Sequence, residues 1–293
     1  MNLRLNLRRN GLWWQLGVLT MIVLTIGAAM VFVERRNRGP SADEVDCLKF
    51  KCVALTFDDG PTPFTDRLLS VLGAQGAKAT FFLIGNKVAH DPDAARRIAD
   101  AGMEIGSHTW EHPNMSTISP TEIPAQLRKA TAVIAAATGR APSLYRPAGG
   151  LSSAEVRAEA GRQGLAEILW DVIPFDWIND ADLAATTFML KTQIRPGSVV
   201  LLHDTYSSTV DLIYQFLPVL IANDYHMVTV SHLLGHRSAG SSYGGRENGP
   251  PANAIHDIAP DRTPTLQPTP SPKPAPNLPI TDIPNQNPGG PPA

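Results

Sequence analysis

The sequence predicts an α/β fold, a distorted or incomplete parallel β/α barrel of about seven strands. Between about residues 53 and 236, short apolar runs alternate with helix-like segments, which is typical of βαβ units and a parallel sheet. The first run, Val53–Phe57, is rich in β-branched and aromatic residues and lacks helical periodicity. Such a run predicts a strand that is buried on both faces. A doubly wound open sheet is the alternative for the same pattern.

An uncharged, mostly apolar run covers residues 12–33, and its length of about 22 residues is sufficient to span a bilayer. We interpret it as an uncleaved signal-anchor, with residues 1–11 in the cytoplasm and residues 34–46 as a linker. A cleaved signal peptide is the alternative, but its hydrophobic region would be shorter. We therefore expect a single-pass protein of a bacterial cell membrane.

The two cysteines of the chain, Cys47 and Cys52, lie just before the first strand, and four residues separate them. This spacing can close a small disulfide loop, which would place the domain outside the cytoplasm. The alternative is a pair of unrelated buried thiols.

The remaining elements of the predicted catalytic domain, residues 47–237, follow in order. Six further strands are expected at Ala79–Ile84, Met103–Ser107, Leu144–Arg146, Ala166–Val172, Ser198–His203 and Met227–Val230. Asp91-Pro92 and Ser119-Pro120 each combine a helix-capping residue with a proline at the first helical position, so both predict a helix start.

Residues 238–293 lose the periodic pattern, being first rich in Ser and Gly and then in Pro. Such a segment cannot bury a core, so we predict a disordered tail. The charge of the whole chain is nearly balanced, with 25 Lys and Arg against 27 Asp and Glu. This balance, without a basic stripe, argues against a nucleic-acid partner. The oligomeric state stays open.

Asp58 and Asp59 directly follow the first strand, at the edge where the ligands of parallel α/β proteins bind. His108 and His112 follow a later strand, and their spacing in a helical turn would direct both rings to one metal ion. The two histidines and one of the aspartates form a three-ligand set typical of catalytic zinc, and cobalt or nickel could occupy the same site. The second aspartate could then act as a base. His232 and His236 have the same spacing but no carboxylate pair beside them, so a metal site there is not expected.

Three further segments lie at strand ends. Arg146 and Gly149 offer a cation and an exposed main chain, Asp176 offers an acid, and His203 offers an imidazole at the end of an apolar strand. An aspartate partner would hold such a histidine protonated, as a general acid requires.

Taken in order, five segments resemble the motifs of the polysaccharide deacetylases of carbohydrate esterase family 4, the NodB homology domain. The segments are Thr56-Phe-Asp-Asp-Gly60, His108-x3-His112, Arg146-Pro-Ala-Gly-Gly150, Asp176-Trp177 and Leu201-x-His203, and the resemblance covers about residues 51–236. Gly149 stands where the family usually has an aromatic residue, and Ile173 stands where it often has an acid.

The resemblance implies a role for each matched residue. Asp58 would be the general base, oriented by Arg146, and His203 the general acid, supported by Asp176. A divalent metal, with zinc as the first expectation, would be bound by Asp59, His108 and His112. Gly149 would offer a main-chain N–H to the oxyanion, and Trp177 and Leu201 would line the acetyl pocket.

The function that the resemblance implies is the metal-dependent hydrolysis of N-acetyl groups on a GlcNAc-containing polysaccharide such as peptidoglycan or a chitin-like polymer. An esterase for O-acetyl groups of a xylan-type glycan and an inactive wall-binding module are the alternatives. Gly240-Ser-Ser242-Tyr-Gly244 matches the nucleophile-elbow pattern of serine hydrolases, but the flanking strand and helix that an elbow needs are not expected there, so we interpret the match as chance.

Overall fold

The computed structural model describes residues 20–21, 42–177 and 183–246. The predicted anchor at residues 12–33 lies outside the described part of the chain, apart from Thr20 and Met21, and so does the tail from residue 247 onward. Within the described ranges, no helix combines the length and the apolar character that a membrane span requires.

The described residues form one sheet of eight strands with helices between them. The strands are β1 Lys51–Gly60, β2 Thr80–Leu83, β3 Glu104–Ser107, β4 Leu144–Tyr145, β5 Ala166–Ile168, β6 Val199–His203, β7 Tyr225–Met227 and β8 Ser242–Tyr243. The helices are α1 Thr65–Ala74, α2 Gly85–His90, α3 Pro92–Asp100, α4 Ile123–Thr138, α5 Ala154–Arg162, α6 Leu183–Gln193, α7 Ser207–Ala222 and α8 Val230–Leu234.

The strand order is β6-β1-β2-β3-β4-β5-β8, and β7 pairs with the first residues of β1. Every named pairing is parallel. From β1 to β5 the order follows the chain without the reversal that defines a doubly wound sheet. The predicted incomplete parallel barrel is therefore confirmed, and the doubly wound alternative is wrong.

The seven predicted strands all form, with bounds shifted by a few residues. The eighth strand, β8, was not predicted and pairs with β5, so the folded domain extends past the expected boundary at residue 237. Ser242 is part of this edge strand, without the strand–turn–helix context of a nucleophile elbow. The sequence does not reveal β8 because a strand of two residues is too short to show an alternating pattern.

The two predicted helix starts have different outcomes. Asp91 caps α3 as expected, because its side chain accepts a hydrogen bond from Ala94 N at 2.9 Å and Pro92 follows it. The expected helix at Ser119 instead begins at Ile123, with Pro124 in its first turn. Because two prolines lie in this segment, the second one sets the actual start.

The interior of the barrel is apolar, and β1 lies at its centre. Residues 52–57 are all buried, with the aromatic ring of Phe57 against that of Phe81 on β2. The predicted disulfide between Cys47 and Cys52 is present and closes the loop immediately before β1. Because all strands run in one direction, the carboxyl ends of β1, β3, β4 and β6 open at the same edge.

Candidate active site

The carboxyl ends of β1 and β6 place two proposed catalytic groups side by side. The strands pair in parallel register, with Thr56 beside Leu201 and Asp58 beside His203. Because side chains on one face of a strand recur every second residue, Thr56 and Asp58 share a face, as do Leu201 and His203.

Asp58 is buried, and its Oδ1 atom accepts a hydrogen bond from Arg146 Nη1 at 2.8 Å. Burial raises the pKa of the Asp58 carboxyl, whereas the charge and the hydrogen bond of Arg146 act in the opposite direction. Asp58 Oδ2 lies 3.6 Å from His108 Nε2, which places the carboxylate at the edge of the histidine pair.

Arg146 has no exposed surface, and all three of its nitrogen atoms donate to acceptors inside the barrel. In addition to Asp58, its guanidinium donates to Thr56 Oγ1 at 2.8 Å and to the carbonyl oxygens of Ile168 and Leu169 at 2.9 Å. The guanidinium also lies 4.1 Å from the ring centre of Phe82. These contacts hold the guanidinium directly beside the carboxylate of Asp58.

Asp59, His108 and His112 lie together, with one ligand atom of each residue within 4.8 Å of the others. Asp59 Oδ1 is 3.4 Å from His108 Nε2 and 3.3 Å from His112 Nε2. Bonds of about 2.1 Å at tetrahedral angles would separate ligand atoms by about 3.4 Å, so these distances suit a metal ion of the size of zinc.

Three further observations support this fit. Asp59 Oδ1 is buried and has no hydrogen-bond partner among the described residues, which is costly without a cation. Burial lowers the pKa of His108 to about 3, against the opposite effect of Asp59, so its ring is neutral as a metal ligand must be. His108 Nδ1 lies 2.8 Å from the carbonyl oxygen of Arg146. A hydrogen bond of this kind, from the ring nitrogen that does not bind the metal, usually orients a ligating histidine.

His108 and His112 come together in a loop and not in the helical turn that the sequence predicted. The sequence predicted a helical turn, but residues 108–112 form a loop after β3, and the two rings are 4.8 Å apart at a steep angle. Thr109 has φ 68° and His112 has φ 60°, both in the left-handed region. The side chains therefore converge because of this loop backbone, not because of helical spacing.

His203 faces the site from the end of β6 and is paired with Asp176. Asp176 Oδ1 lies 3.0 Å from His203 Nδ1, and Asp176 Oδ2 accepts from His203 N and from Thr209 Oγ1, each at 2.8 Å. Burial opposes charge on the ring, but the hydrogen bond and the charge of Asp176 outweigh it and raise the pKa of His203. The imidazole thus favours the protonated form, which a general acid requires.

The three expected substrate-binding residues also lie at this edge. The ring of Trp177 meets the ring of His203 edge-on at 5.0 Å, and Leu201 is buried beside Thr56. Gly149 lies in a short 3-10 turn, Ala148–Gly150, with φ 60°. A Cβ atom there would meet nothing closer than Leu151 at 3.8 Å, so the main chain of Gly149 faces open space.

Residues that the sequence did not single out support these groups. Thr56 Oγ1 accepts from Arg146 and donates to Val200 O at 2.6 Å, and Lys87 Nζ donates to the carbonyl oxygen of Asp59 at 2.8 Å. The sequence could have indicated Thr56, because a residue two positions before Asp58 lies on the same face of the strand. No sequence pattern indicates the role of Lys87, because only the tertiary fold brings its side chain to Asp59.

His232 and His236, the second pair with this spacing, lie on α8 and just after it. His232 Nε2 lies 2.7 Å from the carbonyl oxygen of Val45 and ties α8 to the segment before β1. Within the described ranges, the only cluster of metal-ligating side chains of this kind is Asp59, His108 and His112.

The carboxyl edge of this curled parallel sheet thus carries paired carboxylate and imidazole groups, at the place where the active sites of β/α-barrel enzymes lie. Residues 46–168 match the family model for polysaccharide deacetylases. The chain is 38% identical to a chitooligosaccharide deacetylase of Bradyrhizobium over 178 residues, which cover 60% of this chain and 78% of that protein.

Two further relatives belong to the same group. The peptidoglycan-N-acetylmuramic acid deacetylase PdaC of Bacillus subtilis is 34% identical over 62% of this chain, and the match spans 38% of PdaC. A solved structure of the T48 deacetylase with substrate is 34% identical with a TM-score of 0.64, covering 68% of this chain and 99% of that one. The chain belongs to the polysaccharide deacetylase family, whose named members are hydrolases of carbon–nitrogen bonds.

Proposed function

We propose that the chain hydrolyses N-acetyl groups of a GlcNAc-containing polymer of the cell envelope, either peptidoglycan or a chitin-like glycan, and that it depends on a divalent metal. The observation that carries this proposal is the convergence of Asp59, His108 and His112 beside Asp58 and His203. Relatives named for chitooligosaccharide and for peptidoglycan support both substrate classes.

Asp59, His108 and His112 would hold the metal, for which zinc is the first candidate. A divalent cation bound there supplies Lewis acidity, lowering the pKa of a coordinated water and polarising the acetyl carbonyl group. The partnerless Oδ1 of Asp59 and the neutral ring of His108 are the features of this chain that suit such an ion.

The proton transfers are assigned to two groups that lie side by side on β1 and β6. Asp58, held by Arg146, accepts the proton of the attacking water. His203, held by Asp176, donates a proton to the leaving amine. Gly149 N–H stabilises the oxyanion, while Trp177 and Leu201 enclose the acetyl methyl group.

The test measures acetate and free amine released from chito-oligosaccharide, peptidoglycan and acetylated xylan, with chelator and after zinc is returned. Asp58→Asn should lose about 10²–10⁴-fold in turnover while it keeps zinc affinity. Asp93→Asn, which alters an exposed carboxylate on α3, is the matched control and should leave the rate unchanged.

His112→Ala should lose the metal together with the activity. Release of acetate without amine would favour the O-acetyl esterase, and no release from any polymer would favour an inactive module. Acetate release by Asp58→Asn at the rate of the unaltered chain would rule out the assigned base.

The location is also a proposal. The apolar run at residues 12–33 and the disulfide between Cys47 and Cys52 support a single-pass anchor with the domain outside the cytoplasm. Fractionation of cells that express the full chain and a form without residues 12–33 tests it, because only the full chain should remain with the membranes after a salt wash.

A further inference from the structure

The two histidines of the metal-binding loop, defined here as residues 108–112, are held in different ways. The ring of His108 is buried and fixed by the carbonyl oxygen of Arg146, and its main-chain N–H donates to Leu83 O at 2.8 Å. The side chain of His112 is 40% exposed, and its Nε2 atom lies 3.3 Å from Asp59 Oδ1 and beside the ring of His108. The position of His112 therefore depends on the backbone that carries it.

That backbone is not in a conformation that the chain adopts readily. Thr109 and His112 both have positive φ, which is an outlier for a β-branched residue such as threonine. Residues in this conformation are strained and persist only where the surrounding structure enforces them. The hydrogen bond from His112 N to Thr109 Oγ1, at 3.1 Å, stabilises the turn locally but does not fix it relative to the barrel.

Gln126, on the first turns of α4, provides that fixed point. Its Oε1 atom accepts hydrogen bonds from Trp110 N and from Glu111 N, each at 3.0 Å. Its Nε2 atom donates to Glu111 Oε2 at 3.0 Å. The orientation of the amide follows from chemistry, because the opposite orientation would direct an NH2 group at two N–H donors.

The opposite side of the loop is held by α2. Gly85 N donates to Thr109 O at 2.9 Å, and Asn86 N donates to Trp110 O at 3.0 Å. The loop is thus clamped between two helices: α2 fixes its carbonyl groups with main-chain donors, and α4 fixes its N–H groups with a single side chain.

We propose that Gln126 is a positioning residue that sets the place of His112 relative to Asp59 through the backbone of residues 110 and 111. Gln126 has no hydrogen bond with the three proposed metal ligands, so its effect passes through the loop. The inference rests on the proposed metal-dependent function. Outer partners of this kind typically change metal affinity by about 10–100-fold when they are removed.

The test titrates zinc into the metal-free full chain against a competing chelating dye. Gln126→Ala should weaken zinc binding by about 10–100-fold. Gln126→Glu keeps the acceptor atom but places a second carboxylate beside Glu111, so it should also weaken binding. The double variant Gln126→Glu with Glu111→Gln restores a complementary pair and should recover most of the affinity. Gln215→Ala, on the exposed face of α7, is the control and should change nothing.

The outcomes separate this inference from the proposed function. If the unaltered chain binds no zinc, the proposed function fails. If that chain binds zinc and Gln126→Ala binds it equally well, the positioning role is wrong even where the variant has lower thermal stability. Should Gln126→Ala fail to fold, equal affinities for Gln126→Glu and its double variant would overturn the inference.

Discussion

Replacing Arg146 with methionine tests the electrostatic arrangement inside the barrel. Arg146 is fully buried, and it donates to Asp58, to Thr56 and to two main-chain carbonyl groups at 2.8–2.9 Å. Methionine has a similar volume but no donor. The substitution therefore leaves the buried carboxylate of Asp58 without its counter-charge. It also removes the hydrogen-bond donor from Thr56 Oγ1 and from two main-chain carbonyl oxygens.

Removing one partner of a buried ion pair costs about 3–5 kcal/mol in the free energy of unfolding. Because about 1 kcal/mol shifts the melting temperature of a domain of this size by about 2–4 °C, Arg146→Met should melt about 6–20 °C lower. Asp58→Asn retains an oxygen that accepts from the guanidinium, but it leaves the buried cation without its counter-charge, so it should also cost about 3–5 kcal/mol.

The assay is urea unfolding of the disulfide-intact chain in chelator, so that metal binding adds nothing to the stability of the folded state. The double variant that combines Arg146→Met with Asp58→Asn should be more stable than Arg146→Met alone, because the neutral amide that replaces the carboxylate leaves no uncompensated charge in the interior. A loss below about 1 kcal/mol for Arg146→Met, or strictly additive losses in the double variant, would refute the reasoning.

Three further predictions concern the buried carboxyl of Asp204, the packing around Gly60 and the disulfide before β1. Burial raises the pKa of Asp204 to about 7, so its folded form holds a proton that the unfolded chain releases near pH 4. Stability should therefore fall by up to about 4 kcal/mol between pH 4 and pH 7, and Asp204→Asn should flatten this slope in unfolding curves taken at several pH values. Gly60→Ala would place a Cβ atom 3.0 Å from an Asp204 oxygen and 3.1 Å from the side chain of Leu83, so it should cost about 1–3 kcal/mol in the same assay. Replacing Cys47 and Cys52 with serine should cost about 2 kcal/mol, the entropy of a small loop, and an unchanged melting temperature would contradict this.

Much of the fold could be predicted because its signals are local. Val53–Phe57 is a short, mostly apolar run without helical periodicity, which predicts a strand buried on both faces, and it lies within β1. The same local pattern did not reveal β8, because a strand of two residues, Ser242 and Tyr243, is too short to show an alternating pattern, and its place is set by pairing with β5. It also failed at the start of α4, where two prolines competed for the first turn.

The loop of residues 108–112 is the part of the candidate site whose conformation the sequence did not predict. The spacing of His108 and His112 predicted that the rings meet, and they do, but the helical turn behind that prediction is absent. The loop conformation is imposed by α2 and by Gln126, and the latter lies 15 residues beyond Glu111 in the sequence. A positive φ at Thr109 has no sequence signal, since threonine rarely adopts it.

The sequence by itself determined which groups lie near the carboxyl ends of the strands, because the apolar runs locate each strand to within a few residues. It therefore placed Asp58, Asp59 and His203 at one edge of a parallel sheet. The tertiary structure alone decided how those groups are held: Arg146 reaches Thr56, 90 residues away, and Gln126 secures a strained loop. Such contacts depend on how the chain closes over long separations, which no local pattern records.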